Sequence, residues 1–123
     1  MSDGAAMHGL SDDWTVADIE AVLAGQDADA IARALILVAM DPPDCDWAAE
    51  ICLGLADHPL PRVRANALLG LGHLARTCDD LNPGRVRPVI EAGLRDPDSD
   101  VAGHARTAAD ELRVFLGWIF AEV

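Results

Sequence analysis

Asp96-x-Asp98-x-Asp100 has the spacing with which a calcium-binding loop begins, three carboxylates on alternate residues. Such a loop also needs a glycine at its sixth position and a bidentate glutamate at its twelfth, where Val101 and Thr107 stand here. The run therefore reads as a tight turn that caps a helix. His58, His73 and His104 could in principle hold a metal or move protons, but no two lie at i, i+4 on one helix, so isolated surface or groove histidines are expected. Asp110-Glu111 is an acidic couple, yet adjacent residues diverge by about 100° around a helix axis and do not share a face as a general acid and base would. There is no Walker loop, no Gly-x-Ser-x-Gly elbow and no His-Glu-x-x-His. The expectation is a protein that is not an enzyme, with no catalytic residues, no metal and no cofactor.

Cys45, Cys52 and Cys78 are odd in number and match no metal or redox spacing, which suits a reducing cytosol and predicts buried, inert thiols. Charge is more informative. All nine basic residues are Arg, against 21 carboxylates, for a formal net charge of −12. That field repels nucleic acid and anionic membranes and favours encounter with a cationic protein. The N-terminus lacks a basic, apolar leader, and the apolar run from Leu112 to Ala121 is interrupted by Arg113 and too short to span a bilayer. A cytoplasmic location is expected.

The elements that must position these residues are helices. A hydrophobic fraction of 51% with only 4% aromatics, and no sustained alternation, favours helix over sheet. Residues 1–10 lack periodicity and are expected to be a flexible N-terminus ahead of one domain over 11–123. Ser11-Asp-Asp then offers caps for a first helix carrying Val16, Ile19, Val22 and Leu23 and ending at Gly25. Asp27 or Asp29 caps a second through Met40, and Asp44 or Asp46 a third through Leu55. Pro61 leads into a fourth over Arg62 to Arg76, with Val63, Ala67, Leu71 and Leu74 on one stripe, widened by Leu68 and Ala75. Asn82 and Pro83 open a fifth. The last carries a stripe of Val101, Ala105, Ala108, Ala109, Leu112, Phe115, Leu116 and Ile119.

Internal similarity groups the six into pairs. Asp57 aligns with Asp96, Val63 with Val101, Ala67 with Ala105 and Leu74 with Leu112; Ile31 and Leu35 occupy the same places in a weaker third copy. An Asp in the turn, a Val followed by Arg64, and a small residue four further on resembles the HEAT repeat over about residues 15–120. Ala102 stands where an Arg is usual, which puts the Asp-to-Arg tie between repeats in doubt there. The resemblance implies an all-α fold, a short right-handed α-solenoid of about three hairpins, with a plain helical bundle as the alternative.

In such a stack the second helix of each hairpin lines the concave side, the usual face for partners. That places Asn66, Gly70 and His73 of the fourth helix beside Thr107, Asp110, Glu111, Val114 and Trp118 of the last. An amide, an imidazole, two carboxylates, bare backbone at Gly70 and an aromatic anchor form a mixture that would hold an Arg or Lys of a partner. Alternatively, Gly70 and Gly72 only let helices approach closely, His73 satisfies a neighbour and Trp118 plugs the end of the stack.

The run Arg64-Ala-Asn-Ala-Leu-Leu-Gly-Leu-Gly-His-Leu-Ala-Arg76, with Gly103-His-Ala-Arg-Thr-Ala-Ala-Asp-Glu-Leu-Arg-Val-Phe-Leu-Gly-Trp118, resembles small bacterial HEAT-repeat proteins. Some of these are immunity proteins of contact-dependent growth inhibition systems. The resemblance implies a cognate protein toxin, cationic and often a nuclease, neutralised by one-to-one binding in the cytoplasm. The second reading is a HEAT-repeat adaptor or scaffold with several weak partners. The toxin's identity and the oligomeric state are left open.

Overall fold

A computed structural model describes residues 13–120. The expected flexible segment at residues 1–10, and the caps at Ser11 and Asp12, lie outside them. The described residues form six helices and no strand: α1 Val16–Ala24, α2 Ala28–Met40, α3 Cys45–Leu55, α4 Pro61–Leu74, α5 Pro83–Leu94 and α6 Ser99–Leu116. The fold is all-α and repeat-like, three hairpins in succession.

Five of the six starts are set by a capping side chain. Thr15 caps α1 in a reciprocal capping box with Asp18, not the acidic residues before it. Asp27, Asp44, Asn82 and Asp98 accept from the first amides of α2, α3, α5 and α6. The Asp96 to Asp100 run is thus the turn and cap its sequence indicated. α4 has no side-chain cap and relies on Pro61 at its first position, where no amide hydrogen is left without a partner.

The second helices of the three hairpins make an inner layer, with α4 in its centre packed most extensively against α6 and next against α2. The expected stripe of α4 is buried throughout: Val63, Ala67, Leu68, Leu71, Leu74 and Ala75 are at most 4% exposed. α2 carries Ala34, Leu35, Val38 and Ala39 into the same core, and α6 brings Val101, Ala105, Ala108, Ala109 and Leu112. The stripe expected for α6 is too long. Gly117 adopts φ +71°, a left-handed conformation that suits glycine and ends the helix, and beyond Leu112 the apolar side chains Phe115 and Ile119 are exposed.

The cysteines also differ from expectation. Cys45, the first residue of α3, and Cys78, just beyond α4, form a disulfide with Cα atoms 5.9 Å apart. Antiparallel packing of α3 and α4 sets the start of one beside the end of the other, although the two positions are 33 residues apart. Cys52 alone is the buried free thiol foreseen, and burial pushes its pKa up to about 12. Disulfides persist in oxidising compartments, so cysteine usage does not argue for a reducing one.

A seam and a rim in the inner layer

Two glycines of α4 let the inner layer close. A Cβ on Gly72 would lie 2.6 Å from the Ala108 Cα of α6, a backbone atom that cannot yield. A Cβ on Gly70 would meet the Cys52 sulfur at 2.9 Å and the Ala39 Cβ at 3.4 Å. Gly70 is buried, so the bare backbone expected there is filled by helix neighbours and offers no surface.

The polar residues beside these glycines tie the helices together. Asn66 donates through Nδ2 to the Ala32 carbonyl of α2 at 2.8 Å. His73 and Glu111 do come together as foreseen, Nδ1 to Oε1 at 3.2 Å, but Glu111 also accepts from Arg76 Nε at 2.9 Å and Nη2 at 2.6 Å. The Glu111 side chain is 11% exposed and its carboxylate is fully engaged between α4 and α6. Among the described residues no buried side-chain nitrogen or oxygen lacks a partner.

The rest of the expected groove lies along the outside of α6. Asp110 is exposed and pairs with Arg113 on its own helix at 2.8 Å; the Thr107 hydroxyl donates to the Gly103 carbonyl at 3.2 Å. Val114 is 74% exposed. Trp118 is half-buried, tilted against Phe120 with ring centroids 6.3 Å apart. Asn66 and Gly70 face α2 and are not joined to this row.

Sequence reasoning passed over the end of the layer where α2, α4 and α6 finish. The Arg76 guanidinium lies over the Phe115 ring at 5.8 Å, and a cleft of about 120 Å³ is lined by Ala39, Met40, His73, Arg76 and Thr77. Met40, Arg76 and Phe115 therefore form a line across the three helices. Beside it the Cys45–Cys78 bridge joins the segments 41–46 and 77–80, whose Asp41, Asp44, Asp46, Asp79 and Asp80 are all exposed and which contain no Arg. The helical spacing of His73 and Arg76, i and i+3, was the one sequence signal for this end.

At the opposite end, Arg64 reaches Asp96 in the next hairpin through two bonds, Nε to Oδ2 at 2.9 Å and Nη2 to Oδ1 at 3.1 Å, and donates to the His58 and Pro59 carbonyls. The guanidinium, with the Asp98 amide, holds the Asp96 carboxyl below the usual carboxylate range. Its counterpart one repeat earlier is Asp57, and Ala32 stands where the matching Arg would be.

Over this architecture the chain has a TM-score of 0.72 and 31% sequence identity to a chain in the crystal structure of a CDI complex from Cupriavidus taiwanensis LMG 19424, covering 83% of this chain and 90% of that one. The chain belongs to that protein's family. Neither a family model nor a curated relative matches it. Among the described residues no helix is long and apolar enough to cross a membrane, and no group of three or more His, Cys, Asp or Glu is placed to hold a metal.

Proposed function

We propose that the chain is an immunity protein of contact-dependent growth inhibition, binding a cognate toxin one-to-one and neutralising it without turnover. The observation that carries this reading is the relationship to a chain of a CDI complex over 90% of that chain's length. The net charge of −12 supports a cationic partner, a nuclease-type toxin being the class that best fits such a field. The bidentate Arg64–Asp96 tie between successive hairpins supports a HEAT-type stack as the scaffold. Of the residues expected in the groove, Thr107, Asp110, Val114 and Trp118 offer accessible contacts, while Asn66, Gly70, His73 and Glu111 act by fixing the helices that carry them.

The proposed site of action is the cytoplasm, where binding is expected to survive reduction of the Cys45–Cys78 pair. Growth of cells expressing the product of the gene immediately upstream, with and without this chain, tests the reading. Toxicity relieved by co-expression, together with a stable one-to-one complex, is the expected result. A harmless or non-binding neighbour would overturn it.

A further inference from the structure

We infer that the partner docks on the rim formed by the C-terminal ends of α2, α4 and α6, and that it presents an apolar side chain set among Lys or Arg. This inference rests on the immunity reading and adds to it the face and the chemistry of contact. Large apolar side chains are rarely left on a surface together without a use. Here Met40 is 67% exposed, Phe115 51% and Ile119 79%, and all belong to the ends of inner-layer helices or the residues just beyond. The cleft between Met40 and Arg76 holds about 120 Å³. That is of the order of the roughly 150 Å³ cavity that takes up a benzene-sized guest, enough for one anchoring side chain.

The charges beside the rim choose the occupant. Asp41 follows Met40 directly and Asp79 lies two residues beyond Thr77, both exposed, and no cation lies within the segments 41–46 and 77–80, whose Asp46 and Asp80 line a separate cleft with Arg85. Arg76, the one Arg lining the cleft among the described residues, is already held by Glu111. A second copy of this chain would bring a second set of carboxylates and a second −12 to the interface, whereas a basic protein surface would complement them. The apolar anchors would then govern dissociation, and the carboxylates the rate of encounter.

The test titrates the purified upstream gene product with the wild-type chain, with Met40→Gln and Phe115→Gln, and with the double reversal Asp79→Lys, Asp80→Lys. Circular dichroism confirms that each variant is folded, and sedimentation of the chain alone gives its oligomeric state. The two apolar variants are expected to weaken binding at least tenfold, mostly through faster dissociation. The double reversal is expected to slow association at low salt and flatten its salt dependence. Wild-type binding with folded variants that bind equally well overturns the rim and leaves the immunity reading standing. No wild-type binding overturns both. A dimer of the chain alone that Phe115→Gln dissolves would assign the rim to a second copy and overturn the basic partner.

Discussion

The seam through the middle of the inner layer and the rim at its C-terminal end are built from similar residue types put to opposite uses. In the seam, Gly70 and Gly72 admit neighbouring helices to within contact, and Asn66, His73 and Glu111 spend their polar atoms on them. At the rim, Met40, Phe115 and Ile119 stay in solvent, and the exposed Asp41 follows Met40 directly. The difference teaches that a polar residue facing a neighbouring inner helix is consumed by it, and is left to a partner on the outward face of α6, as Thr107 and Asp110 are, or where the layer stops.

Several substitutions would break or sharpen that contrast. The largest loss is expected deep in the seam: Leu112→Ala removes a fully buried side chain shared by α6 and the core and should cost about 2–5 kcal/mol in a denaturant titration. Opening the Cys45–Cys78 bridge, which spans 33 residues, should cost about 3–4 kcal/mol on the chain-entropy account, read as a fall in melting temperature with added reductant. Gly72→Ala should cost about 1–3 kcal/mol despite alanine's better helix propensity, because the Ala108 backbone blocks its Cβ at 2.6 Å.

Asp96→Asn comes next, at about 1.5–3 kcal/mol near neutral pH, since charge-assisted bonds to Arg64 are lost. The Asp96 carboxyl has a lower pKa folded than unfolded, so its contribution is complete above the ordinary value of 3.8 and disappears as pH falls below it. Acid unfolding curves should therefore converge for wild type and Asp96→Asn at low pH and separate toward neutrality. Smallest of all is the rim: Met40→Gln should change stability by no more than about 0.5 kcal/mol, at a position 67% exposed.

Much of the seam was legible in the sequence. The α4 stripe from Val63 to Leu74 has the helical period, and the repeated Asp and Val of the turns placed α4 and α6 in equivalent roles. His73 and Glu111 were brought to one place for the same reason. What the sequence did not disclose is which partner consumed each polar group, because that depends on helix-to-helix distance: Gly70 reads as open backbone until Cys52 and Ala39 are seen against it. The Cys45–Cys78 bridge was missed because spacing alone carries no signal, although an antiparallel α3–α4 hairpin sets residue 45 beside residue 78. The rim was missed because Phe115, in the last turn of α6, and Ile119, beyond Gly117, continue the apolar period of a helix whose full burial stops at Leu112. Reversing Asp110 and Glu111 together would confuse the two regions, since Glu111 holds α4 to α6; Asp110→Lys alone probes the exposed row.

Backbone hydrogen exchange of the chain, free and saturated with the upstream gene product, separates seam from rim most directly. The expected result is new protection in 75–80 and 116–120, at the C-terminal ends of the inner helices, with little change across 98–104. New protection confined to 60–66 and 98–104, at the opposite end of α4 and α6, would contradict it.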